Sequence, residues 1–230
     1  MNKIESDLIL RILSHGVYSY NQLFDIFRLH YFVSPESFYY DFLQFSDFYL
    51  TPYKDNSRHI YFKSISYLGR KYFLRKIPFK FNGFDDFVYF LSSPDLNLFH
   101  DFLSLQLSSY FSNLKINFKY NKSYAAARIA YDFLLPDFNI ALEVETGLKG
   151  TNYSDLDKRL GISPLHHENI NKRFLNSPFI YILVPNDEIK NRYFKHYLFV
   201  SDKLGFSVTE TYKFKVLTFN EFEFLQFEHY

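Results

Sequence analysis

The sequence predicts an α/β protein in two parts, three short helices with a hairpin followed by an α/β domain with a mixed sheet. Three observations predict it. The hydrophobic period is helical three times before about residue 45 and then alternates, while from residue 95 helical and strand patterns interleave. The charge is split: residues 1–80 carry 11 Lys/Arg against 7 Asp/Glu, and the rest of the 230 carry 15 against 18. Finally, the apolar stretch LPDFNIALEVETG, residues 135–147, places carboxylates at a strand entry and again at its end.

Residues 6–14, SDLILRILS, open with a serine suited to capping and set Leu8, Ile9, Ile12 and Leu13 on one face, with Gly16 as the stop. Residues 19–27 repeat the pattern with Leu23, Ile26 and Phe27. Ser34–Pro35, a cap followed by proline at the first helical position, starts a third helix through SFYYDFLQF. Two alternating runs, 48–53 and 59–65, flank the turn-rich KDNSR and predict a hairpin. A fourth helix is expected over 66–76, and residues 81–93 as a partly helical connector with boundaries at Gly83 and Ser92–Pro94.

Three helices and a hairpin in this order describe a winged helix-turn-helix over residues 1–80. Its third helix, with Ser37, Tyr39 and Tyr40, would enter the DNA major groove. Its hairpin tip, with Lys54, Arg58 and His59, would touch phosphates. Eight cations against Asp55 alone in residues 54–80 suit that purpose, although a solvated basic face or a three-helix module that binds protein reads the same way.

Residues 94–230 read as helix 96–111, strands 115–120, 128–134 and 140–146, helices near 153–160 and 168–174, strand 179–184, helix 187–204 and strand 213–219. In the third strand Ile140, Leu142 and Val144 point one way, and Ala141, Glu143 and Glu145 the other. A short turn is expected to bring Asp137 alongside Glu143. Converging carboxylates repel unless a cation sits among them, and hard oxygen donors suit Mg2+ or Mn2+. A solvent-facing strand edge is the plainer alternative.

Composition bounds the remaining classes. A 47% hydrophobic share with 30 Phe and 21 Tyr excludes disorder, though scarce Ala and Gly suggest an AT-rich coding bias behind the aromatics. The chain has no cysteine, which excludes disulfides, thiolate zinc sites and cysteine nucleophiles. Charged residues interrupt the N-terminus where a signal peptide needs an apolar core, and no stretch reaches membrane-span length, so a cytoplasmic protein is expected. A tyrosine-nucleophile relaxase needs a His-apolar-His pair on a strand. The adjacent His166–His167 does not supply one.

Pro136–Asp137 and Glu143-Val144-Glu145, in a helix–strand–strand–strand–helix–strand order, resemble the PD-(D/E)xK nucleases, with Glu145 standing where lysine is expected. Lys158 in DLDKRL, or Lys149, is a relocated candidate for that lysine. Adding His100 early in a helix and the Glu143–Thr146 run, the chain resembles the replication-relaxation proteins of plasmids and other mobile genetic elements. That resemblance implies a winged helix joined to a nuclease-like domain, and a DNA-binding, metal-dependent endonuclease. Asp137 and Glu143 would hold Mg2+ or Mn2+ with the Val144 carbonyl, and Glu145 a second ion or a water. Lys158 would steady charge at the phosphate, and His100 or Asp101 would complete the site. A non-catalytic DNA-binding initiator or accessory protein on a degenerate nuclease fold is the alternative. A replication or transfer partner and a homodimer through the aromatics of 81–90 or the C-terminal tail remain open.

Overall fold

A computed structural model describes residues 3–54, 60–93, 97–124, 129–147, 179–204 and 214–225. Arg58, His59, Lys149, Lys158, His166 and His167, and the helices expected near 153–160 and 168–174, lie outside these residues. The chain falls into two compact units, 1–79 with 85–102 and 80–84 with 103–230.

In the first unit, helices α1 (Lys3–Leu13), α2 (Tyr20–Phe27) and α3 (Pro35–Leu50) follow the sequence reading. Ser19 caps α2 through a reciprocal box with Gln22, and Ser34 Oγ accepts from the Ser37 amide at 3.1 Å ahead of Pro35. Ile9, Leu13, Leu23, Phe27, Phe38 and Phe42 form the buried seam among the helices.

Beyond residue 45 the observed structure departs from expectation. Residues 48–50, expected as strand, are the last turn of α3, which Thr51 closes by donating its amide and hydroxyl to the Asp47 carbonyl. The buried Phe38, Phe42, Phe45 spacing carries the helical period through this stretch. The hairpin is short: β2 (Tyr53–Lys54) pairs with β3 (Ile60–Tyr61). The helix expected over 66–76 is instead β4 (Ile65–Tyr67) and the first half of β5 (Arg70–Phe81). Leu68 and Gly69, both at positive φ (48° and 71°), make the two-residue turn between them. The expected connector 81–93 is a second tight hairpin, in which Asn82–Gly83 (φ 51° and 78°) leads into β6 (Phe84–Ser92).

The sheet order is β1-β6-β5-β4, where β1 is the two-residue strand Tyr18–Ser19 paired antiparallel with β6, Tyr18 to Tyr89. Ile65, Tyr72, Leu74, Tyr89 and Leu91 close this sheet over the helices, and Tyr89 meets the Phe42 ring edge-on at 5.0 Å.

The second unit holds a mixed five-stranded sheet. Helix α4 (Leu98–Asn113) ends in a left-handed Lys115 (φ 56°), with the Ile116 amide bonded back to the Phe111 carbonyl, which delays the next strand. Accordingly β7 (Lys119–Tyr124) starts four residues later than expected, and β8 (Ile129–Leu135) and β9 (Ile140–Val144) complete an antiparallel meander. β10 (Phe179–Val184) runs parallel to β9, and β11 (Phe214–Thr218) parallel to β10, giving the order β11-β10-β9-β8-β7. Helices α5 (Asp187–Leu204) and α6 (Phe219–Glu223) finish the described chain.

Five of the six residues of β10 are buried, as befits a central strand covered on both faces. Phe111, Phe133, Tyr181 and Phe222 interlock by ring edges beside it, and Phe81 packs on Tyr110 and Phe219. Of the described aromatics in 81–90 and the C-terminal tail, Phe81, Tyr89, Phe90, Phe219 and Phe222 are buried in the core, while Phe87 and Phe224 are exposed. No helix among the described residues is long and apolar enough to cross a membrane.

Candidate functional site

The β8–β9 hairpin sets the site. Its register pairs Phe133 with Leu142, Leu134 with Ala141 and Leu135 with Ile140. A one-turn 3-10 helix, Pro136–Phe138, and a left-handed Asn139 (φ 52°) close it. Asp137 lies exposed in that closing turn, with Asn117 Nδ2 3.5 Å from its Oδ1.

This register corrects the expected pairing of carboxylates. Glu143 lies three positions up the strand from the closing pair, about 10 Å at ~3.3 Å per residue, so the turn does not bring Asp137 alongside it. One step beyond Phe133 and Leu142, Asp132 stands across from Glu143. There the ladder changes character: the Val144 amide donates to Asp132 Oδ2 at 2.8 Å, a side chain taking the place of a backbone carbonyl. Asp132 is the residue that sequence reading missed. Its signal was a lone charge inside the apolar run IAYDFLL.

Glu145 follows on the same face as Glu143. Its amide still bonds the Leu183 carbonyl at 2.9 Å, and its Oε2 accepts from the Tyr193 hydroxyl at 3.0 Å. Tyr193 is buried in α5, whose start is fixed by Asn186 Oδ1 accepting from the Ile189 amide. Gly147 (φ 65°) lets this helix approach: a Cβ there would lie 2.8 Å from Ile189 Cγ2. Glu143 and Glu145 thus occupy the carboxyl end of β9, beside the carboxyl ends of its parallel neighbours, where α/β sheets place ligands.

The other expected residues lie elsewhere or are only partly described. His100 and Asp101 sit in the first turn of α4, in the first unit, with His100 Nδ1 3.8 Å from Asp101 Oδ1. Ser37, Tyr39 and Tyr40 are exposed on α3. That helix also carries Glu36, Asp41 and Asp47 and no Lys or Arg. Burial first, then Asp86 and Asp47, pushes the Tyr89 phenol up to about 12. Lys54 is the last residue of β2. Among the described residues no three His, Asp or Glu side chains group as a metal site.

No protein-family model matches the chain, and neither curated proteins nor solved structures supply a match.

Proposed function

We propose that the chain is a DNA-binding, metal-dependent endonuclease of the PD-(D/E)xK type, acting on plasmid or other mobile-element DNA in replication, transfer or relaxation. The observation that carries the reading is Glu143 on β9 set across from Asp132 on β8, at the carboxyl end of the parallel strands. The α4-β7-β8-β9 order, with β10 parallel to β9, supports it as the helix–meander–strand arrangement such nucleases use.

Two carboxylates on adjoining strands fit a hard divalent cation, and Asp132 and Glu143 would hold it, with Glu145 next along the strand. The ion would supply Lewis-acid activation of the phosphodiester and of a water. The protein's own part is positional. The Val144 amide holds the Asp132 carboxylate against β9, and Tyr193 holds Glu145, which stands where the nuclease pattern has lysine. A cation for the phosphate would then come from Lys158 or Lys149.

For the first unit, the order α1-β1-α2-α3 and then a sheet in which β1 pairs with the last strand supports a winged helix. In that reading β5–β6 is the wing and the Tyr53–Tyr61 hairpin is an insertion. The turn at the wing's tip, residues 80–84, is part of the second unit, where the Asn82 amide donates to Glu223 Oε2.

The test is nicking of supercoiled plasmid with Mg2+ or Mn2+. Asp132→Asn and Glu143→Gln should each lose about 100-fold or more, while Asp137→Asn retains activity. Loss in Asp137→Asn with Asp132→Asn intact would overturn the register assignment. Plasmid binding without nicking under either metal would establish the non-catalytic alternative, which the Glu145–Tyr193 bond at the lysine position favours.

A further inference from the structure

The end of α3 and the short hairpin after it expose aromatic rings to water. Phe48 is 56% exposed, Tyr53 49%, Tyr61 44% and Phe62 48%. Two contacts order three of them. The Tyr53 and Tyr61 rings stack across their register pair at 5.8 Å and 30°, and Lys63, two residues on, holds its ammonium 3.7 Å from the Phe48 ring centroid. Two strands of two residues bury too little to need four such rings for their own stability. Exposed flat rings beyond what the local fold needs can serve as stacking platforms for a ligand.

Charge identifies the occupant. From Ile60 to Lys80 the chain carries Lys63, Arg70, Lys71, Arg75, Lys76 and Lys80 and no Asp or Glu. Arg75 is spent on Ser92, its guanidinium bonded to the hydroxyl at 2.9 Å, whereas Arg70 and Lys71 are exposed. Helix α3 has the opposite sign, with three carboxylates and no cation. A duplex read by α3 would press those carboxylates between two phosphate rails. A single strand needs one basic track and flat rings for its bases, which is what the hairpin and β5 offer.

We propose that the first unit binds single-stranded DNA, with bases stacked on Phe48, Tyr53, Tyr61 and Phe62 and phosphates held by Lys63, Arg70 and Lys71. This rests on the DNA-binding reading above and specifies the form of DNA bound. Duplex contact through α3 is then not the binding mode.

The experiment is fluorescence anisotropy of the full chain in EDTA with a labelled thymidine oligonucleotide of about 15 nucleotides, against a duplex of equal length. The single strand should bind at least about ten-fold tighter. Phe48→Ala and Tyr61→Ala should each weaken it about ten-fold, Tyr61→Phe should not, and Arg70→Ala should flatten the salt dependence. Tighter duplex binding, unmoved by the ring variants and weakened by Tyr40→Ala, would overturn the proposal while leaving DNA binding intact. Failure to bind either form would remove both. Concentration-dependent self-association lost in the ring variants, without single-strand binding, would assign the rings to a second copy and overturn the proposal.

Discussion

Replacing Asp132 by alanine removes the acceptor that holds the Val144 amide at 2.8 Å. Val144 is 3% exposed, so its amide is left buried and unpaired, at a cost of about 1–3 kcal/mol. At ~2 kcal/mol, with ~1.4 kcal/mol to each factor of ten, the opening that admits exchange becomes about 30-fold more frequent. Asparagine keeps an oxygen acceptor and loses only the charge, so its effect should stay below about five-fold. Hydrogen–deuterium exchange resolved at Val144 measures both. If Val144 exchanges at the wild-type rate in Asp132→Ala, the carboxylate is not its acceptor and the placement of Asp132 across from Glu143 fails. The two variants also separate holding from chemistry: Asp132→Asn should keep its amide protection and lose nicking.

Gly147→Ala combines left-handed backbone strain of about 1 kcal/mol with a Cβ 2.8 Å from Ile189 Cγ2, so urea unfolding should show a loss of about 2–3 kcal/mol. A variant of unchanged stability would show that α5 does not abut the end of β9. Burial pushes the Glu221 carboxyl up, but the bonds from Lys190 and Thr218 outweigh it and hold its pKa below the ordinary 4.5. A carboxyl depressed on folding stabilises the native state above its unfolded pKa, and that contribution is lost as pH falls through the folded value. Lys190→Met should therefore be less stable than wild type at neutral pH, with the gap narrowing below about pH 4.5 in acid titrations of unfolding. A gap constant with pH would refute the pairing.

Where sequence signals were local and chemical, they read through to structure. Ser34–Pro35 and the Ser19 box start their helices where capping chemistry requires. The apolar FIYILV run is a buried central strand. In β9 Ile140, Ala141, Leu142 and Val144 are all buried, and Glu143 alone is only partly buried. The misreadings came from short apolar runs, whose period is ambiguous between helix and strand. FYL at 48–50 went to strand and SYLGRKYFLRK to helix, although Leu68–Gly69 and Asn82–Gly83 are both two-residue hairpin turns. The Asn82-Gly83 pair between alternating runs is the legible cue to the second hairpin. The site suffered from a different gap. Proximity in sequence favoured Asp137, only six residues before Glu143, but a hairpin brings together residues equally distant from its turn, which selects Asp132. Tyr193 reaches Glu145 across 48 residues, and no spacing rule anticipates that.

The pairing of β1 with β6 joins residues about 70 positions apart, and it governs when the first unit can mature. Helices α1 to α3 form from local contacts as they are synthesised, but Tyr89 and Leu91, which complete their core, arrive last. Until then the apolar face of the helices has only part of its cover, Ile65, Tyr72 and Leu74, a window in which the nascent chain invites chaperones or aggregation. A fragment ended at Lys80 would make that window permanent. It would lack β6, an inner strand of the sheet, and leave β1 and β5 as raw edges. The shortest N-terminal piece that folds should therefore extend past Ser92 to Phe102, where the first unit ends and Phe99 stacks on Phe90.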